Sequence, residues 1–263
     1  MIKVLVVGDS HVAQLKLASE KIEKLNKLDI KFFAVVGPVT NKILFQDNVL
    51  SLENYSGSWN HPVHAGHKPT DEKIDRWYRE AKDRLYSIGE TEELDLNLFD
   101  VIVLYGGRFL QGRALVDNFS GGWHKLPAVN EYSFALNVKL TEDFIKYSVH
   151  YKWLNQLVKC EEFSGCIVSA PGPLPSEQHP SYAEAVSSSE VSLDYAQDLY
   201  SEAFKGLGSV FSPLPKSILS KDKKGTDKKY RSGDIRDFSH TNIAGGDILL
   251  KELTAQILAT LNH

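Results

Sequence analysis

Two short blocks of this sequence carry residues suited to nucleophilic chemistry. Gly8-Asp9-Ser10-His11 lies near one end, and Asp237-Phe238-Ser239-His240-Thr241-Asn242 near the other. A serine hydroxyl attacks an acyl carbon effectively when a base removes its proton, and that base must itself be oriented. Asp237 and His240, three residues apart on one segment, supply a base and a partner for it. Ser10 supplies the hydroxyl. At a helix start, N–H groups without intrahelical partners point outward, and such donors can hold an oxyanion. Each block also has a plainer reading. Asp and Ser are both preferred N-caps, and Thr241 or Asn242 would serve a following helix in the same way. Neither block alone separates the two readings.

The elements that must position these residues are legible in the hydropathy pattern. Ile2–Val7 is apolar throughout, as expected of a strand buried on both faces. Ile30–Val36, Val101–Tyr105, Cys166–Ala170 and a short Ser209–Ser212 read as four more strands. Helical spacing runs from about Val12 to Leu28, with Leu15, Ile22 and Leu25 on one stripe. A second helix opens at Thr70 as N-cap, with Asp71 and Glu72 in its first turn, and runs to about Ile88. Further helices are expected over Glu142–Cys160 behind a Thr141 cap, over 192–206, and from about Asn242 to Leu261. Strands alternating with helices imply βαβ crossovers and a parallel sheet with helices on both faces. The expectation is one α/β domain over residues 1–263, in three layers, around a mostly parallel five-stranded sheet. Irregular insertions are expected at about 46–69 and 108–140. Ligands of such folds bind beyond the carboxyl ends of the strands, and both chemical blocks fall there.

Taken together, the two blocks make the sequence resemble the SGNH, or GDSL-like, hydrolase superfamily. A GDS block follows the first strand, and a DxxH block precedes the C-terminal helix. The resemblance implies a flavodoxin-like sandwich with Ser10 as nucleophile, His240 as general base and Asp237 as its orienting partner. It implies a serine-dependent acyl-ester hydrolase that works through an acyl-enzyme and needs no cofactor. His11 makes the first block GDSH, similar to SGNH domains associated with polysaccharide O-acetylation. A small acyl ester, such as an acetylated carbohydrate, is the expected substrate, because the large insertions could shape a sugar-sized cleft. The same triad would serve an O-acyltransferase, and a catalytically weak binding protein on this scaffold is a third reading. The family places an oxyanion-hole glycine after the second strand, where Gly37 stands. After the third strand it has GxND, whereas this sequence has Tyr105-Gly106-Gly107-Arg108-Phe109. Gly107 and Arg108 are thus expected at the oxyanion or the substrate, with Arg108 in the place of the family Asn. Its charged fork could replace that donor, hold a substrate anion, or pair with a carboxylate.

Other features carry less chemistry. His61, His64 and His67 recur every three residues, but Pro62 and Gly66 oppose a helix that would aim them together, so no metal is expected. Trp59, Trp77 and Trp123 lie in or near the insertions and suit either packing or stacking on sugar rings. Cys160 and Cys166 lack metal-ligand spacing and read as reduced thiols flanking a strand. The 42 % hydrophobic and 24 % charged content suits a soluble globular protein. A net charge of −4 gives no reason to expect nucleic acid as the main partner, which usually needs a basic face. No segment approaches the roughly 20 apolar residues of a membrane span. The first apolar run is too short for a signal peptide, so a cytoplasmic location is expected. Oligomeric state is left open by the sequence.

Overall fold

Val4, Leu5, Val6 and Val7 are wholly buried, which places the first strand at the centre of the molecule. The computed structural model describes residues 1–21, 27–54, 70–107, 126, 132–175, 186, 189, 191–234, 237 and 240–262. In chain order the elements are β1 (Ile2–Gly8), α1 (His11–Ser19), β2 (Leu28–Ala34), β3 (Ile43–Gln46), β4 (Val49–Leu52) and α2 (Asp71–Gly89). They continue with β5 (Leu94–Asp95), β6 (Val101–Tyr105), α3 (Phe134–Ile145), α4 (Val149–Leu157), β7 (Cys166–Ala170), α5 (Leu193–Gly206), β8 (Val210–Phe211) and α6 (Ile243–Leu261).

The main sheet has the order β2-β1-β6-β7-β8, with every pairing parallel. Counted within the sheet this is the 2-1-3-4-5 order of flavodoxin-like folds, whose ligand site lies where the winding reverses, beside β1. The register aligns the carboxyl ends there. Gly8 stands opposite Ala34 on one side and Tyr105 on the other, and Tyr105 stands opposite Ala170. Helices surround the sheet. α1 lies along α6, α3 along α5, α2 over β2, and α4 against β6.

Capping explains most helix starts. The Thr70 hydroxyl accepts from Lys73 N at 3.3 Å, and Asn242 Oδ1 accepts from Gly245 N at 3.0 Å. Three expected boundaries differ. The first helix ends at Ser19 and Leu28 already belongs to β2, while Ile22 and Leu25 lie outside the described residues. The helix expected over Glu142–Cys160 is two helices. Ser148 divides them, because its hydroxyl accepts from Tyr151 N at 3.1 Å and starts α4 afresh. Thr141 is no cap; it lies buried inside α3 and donates to Asn137 O at 2.8 Å.

The expected insertions also contain regular structure. β3 and β4 form a hairpin whose turn residues, Asp47 and Asn48, both take left-handed φ values of 52° and 58°. With β5 they make a separate three-stranded antiparallel sheet. The hairpin is tied to α4 and the segment after it. Phe45 N donates to Gln156 Oε1 at 3.3 Å, and Asn48 Nδ2 to Glu162 Oε2 at 2.9 Å. Residues 134–140 are the first turns of α3 rather than irregular chain. Cys160 and Cys166 are free thiols. Among the described residues no helix is long and apolar enough to cross a membrane.

Candidate active site

Ser10 sits at the N-terminus of α1, immediately beyond the carboxyl end of β1. Its side chain does not cap the helix. Asp9 takes that part instead, since its Oδ1 accepts from His11 N at 3.0 Å. The Ser10 hydroxyl is therefore turned outward, and it lies 2.7 Å from His240 Nε2 across 230 residues of sequence.

His240 reaches this point from the loop that precedes α6. The loop is anchored at the histidine and two residues after it. Ser232 N donates to His240 O at 2.9 Å, and Asn242 N donates to Tyr230 O at 2.8 Å. Asp237 stands behind the ring, with Oδ1 and Oδ2 at 2.9 and 3.0 Å from Nδ1. Its Oδ1 also accepts from His240 N at 3.0 Å. An ionised carboxylate accepts hydrogen bonds and donates none, so Nδ1 carries the imidazole proton. Nε2 is left as an acceptor, and the Ser10 hydroxyl donates to it. The His240 and Asp237 side chains keep 28 % and 27 % of their surface exposed, so the site opens to solvent.

The expected oxyanion and substrate residues are placed less uniformly. Gly37 lies just past β2, exposed, at φ 56°, with Trp77 packed so closely that a Cβ there would come within 3.0 Å of its ring. Gly107 is buried, and its N–H donates to Asp9 Oδ2 at 3.3 Å. That amide is engaged by a carboxylate, not turned toward a substrate oxygen. Arg108 lies outside the described residues, as do His61, His64, His67, Trp59 and Trp123. Trp77 is partly buried, with Lys73 Nζ 5.0 Å from its ring centroid.

Two groups of polar residues beside the site have contacts that the sequence did not show. Asp9 and His11 form a buried pair, with His11 Nδ1 at 2.7 Å from Asp9 Oδ1. The first block announced both residue types, but Asp9 only as a cap and His11 only as the residue that makes the block GDSH. His150, on α4, is wholly buried. Its Nδ1 lies 3.2 Å from Gly106 O and its Nε2 2.9 Å from Ser169 Oγ, which in turn meets Ser209 Oγ at 2.8 Å. Burial pushes its pKa down to about 3, against the opposing effects of the Gly106 hydrogen bond and the Asp9 charge. The ring is therefore neutral, donating to Gly106 O and accepting from Ser169. Burial first, and then the charge of Asp9, raises the Tyr105 phenol well above its ordinary pKa. No local pattern in the sequence links positions 150, 169 and 209; the packing of α4 on β6 and β7 does.

The fold and this cluster define an α/β protein of flavodoxin-like topology with a Ser–His–Asp hydrogen-bonded chain at the switch point. No family profile matches the sequence, and no curated protein matches it either. Among solved structures, the chain is similar to the periplasmic domain of a lipopolysaccharide acetyltransferase from Salmonella ser. Paratyphi A. The two share 12 % identity over 97 % of this chain and 83 % of the other, with a TM-score of 0.42. It is also similar to a Streptococcus pneumonia protein provisionally named a platelet activating factor. Here identity is 15 % over 97 % of this chain and 84 % of the other, with a TM-score of 0.41.

Proposed function

We propose that this chain is a serine-dependent acyl-ester hydrolase of the SGNH type, with Ser10 as nucleophile, His240 as general base and Asp237 as the group that orients it. The observation that carries this reading is the 2.7 Å contact between Ser10 Oγ and His240 Nε2, backed by Asp237 at Nδ1. The Ser10 proton passes to Nε2 as Oγ bonds to the ester carbonyl carbon. The proton then passes to the departing alcohol oxygen as the carbon–oxygen bond breaks, leaving an acyl-serine. Water attacks next and gives its proton to His240, which passes it to Ser10 Oγ as the acyl–oxygen bond breaks, releasing the carboxylic acid and free Ser10. The cycle balances with water as its co-reactant.

The developing oxyanion faces the start of α1, where the Ser10 N–H belongs to the group of helix-terminal donors. Gly37 N–H is the proposed second donor. Gly107 N–H is engaged by Asp9 and serves the turn rather than the oxyanion. An O-acetylated carbohydrate is the proposed substrate, on the strength of the GDSH form of the first block. The same acyl-enzyme would also acylate a sugar hydroxyl if one displaced water. Product analysis with added acceptor separates hydrolysis from transfer. The deciding experiment is hydrolysis of a chromogenic acetyl ester by the wild type and by Ser10→Ala. Loss of turnover in the variant is expected; wild-type rates would overturn the assignment.

A further inference from the structure

His11 and Asp9 flank the proposed nucleophile in sequence, yet both point away from solvent. Their side chains are 3 % and 7 % exposed. A carboxylate so deeply buried needs several donors. Asp9 receives the backbone N–H of His11, the Nδ1–H of the same residue, and the N–H of Gly107. The loops after β6 and β7 leave room for the pair. Gly106, at φ 80°, would set a Cβ 2.7 Å from Asp9 Oδ1. A Cβ on Gly172 would come within 3.3 Å of the His11 ring. The His11 ring so fixed packs on His240, with centroids 4.8 Å apart and planes tilted by 32°.

We propose that His11, oriented by Asp9, is a positioning residue that sets the tilt of the His240 ring against Ser10. The proposal rests on the reading of Ser10 and His240 as nucleophile and base. A hydrogen bond from Nδ1 to Asp237 fixes one edge of the imidazole and leaves the ring able to rock about that edge. His240 is partly exposed, so general burial does not stop this motion. A flat, immobile ring against its face does. His11 is immobile because its own Nδ1 is tied to a carboxylate that also holds the turn after β6. The nucleophile, the surface that steadies its base, and the anchor of that surface are thus three consecutive residues. Misplacement of a reacting group by about 1 Å costs on the order of a hundredfold in rate, so a rocking base is expensive.

The test compares His11→Asn with His11→Phe. Asn keeps an N–H donor near the Nδ1 position, and so the tie to Asp9, but removes the ring from His240. Phe keeps a flat ring and loses the tie. With active sites titrated by a fluorophosphonate, His11→Asn is expected to lower kcat on an acetyl ester by about tenfold or more, with KM little changed. His11→Phe should recover the larger share of kcat. A lower melting temperature with unchanged kcat per titrated site would make His11 merely structural and overturn the proposal. So would an effect confined to KM. Ser10→Ala in the same assay separates the two readings. Retained activity there overturns the hydrolase reading and this proposal with it. Lost activity there, with wild-type kcat in His11→Asn, overturns only the role of His11. If neither variant folds, the unaltered protein decides. Magnetic cross-relaxation between the His11 and His240 ring protons is expected, and its absence overturns the contact.

Discussion

In the proposed mechanism, proton transfer from Ser10 depends on a single tautomer of His240, and Asp237 dictates it. Removing any member therefore disables the unit. Ser10→Ala and His240→Ala should each lower kcat on an acetyl ester by on the order of 10⁴-fold or more, and the double variant should be little worse than either. Additive losses, measured by steady-state kinetics on folded protein, would show that the two residues act separately. Arg108 is a second test at this scale. It directly follows Gly107, the last described residue after β6. Arg108→Ala should lower kcat/KM by about tenfold, or roughly 1.4 kcal/mol. Equal losses on neutral and anionic acyl esters would mark an oxyanion role. A loss confined to the anionic ester would mark recognition of substrate charge. Unchanged rates on both would leave Arg108 with a structural ion pair. The meeting of Ser10, His240 and Asp237 was legible because the GDS and DxxH blocks, taken as a pair, resemble those of a known family. The Asp9–His11 pair was not, because its meaning depends on a backbone N–H delivered from residue 107.

Among the elements, α4 acts through His150, which joins it to the turn after β6 and to β7. Neutral in the fold with a pKa near 3, this ring titrates at its ordinary value of about 6.5 once unfolded. Between those values the unfolded chain binds a proton that the folded chain refuses. Stability is therefore full above about pH 6.5 and falls as the pH drops toward 3, by at most about 1.4 kcal/mol per pH unit from this group. His150→Gln removes the titration. It should be less stable than wild type at pH 7, by about 1–3 kcal/mol for the disrupted hydrogen bonds. It should then lose less stability than wild type between pH 7 and pH 5. Denaturant unfolding at the two pH values measures this, and equal losses would place the acid sensitivity elsewhere. The sequence showed the helix here but not its break. Helical periodicity continues through 146–148, and a Ser cap three residues before Tyr151 is a weak signal beside it. The β3–β4 hairpin was hidden for a related reason. Its Asp47-Asn48 turn is good hairpin chemistry, yet Val49–Leu52 fell within the irregular insertion expected at about 46–69.

At the scale of the whole molecule, the problem is to bring together two blocks separated by 230 residues. The parallel sheet solves half of it. Five apolar runs alternating with helices allow few arrangements once crossovers are right-handed, which is why the sheet was legible. The second, antiparallel sheet was not, since β4 and β5 are short and distant in sequence. The other half is solved by α1 and α6. Ser10 stands at the start of α1, and His240 stands three residues before α6, so the spacing of these helices sets the distance between hydroxyl and base. Gly246 governs that spacing. A Cβ there would lie 2.8 Å from Gln14 O and 3.3 Å from the Ala18 side chain, both on α1. Gly246→Ala thus sets two effects against each other. Helix propensity alone favours Ala over Gly by about 1 kcal/mol. Forcing extra volume into a close-packed contact costs about 1–3 kcal/mol, and here the obstacle is backbone, which cannot rotate aside. The contact should win, so the variant is expected to be less stable, and α6 should carry His240 away from Ser10 as it yields. Denaturant unfolding should show the loss of stability, and kcat should fall with KM nearly constant. A variant more stable than wild type would mean that the helices part without penalty, and that their contact does not hold the two halves of the site in register.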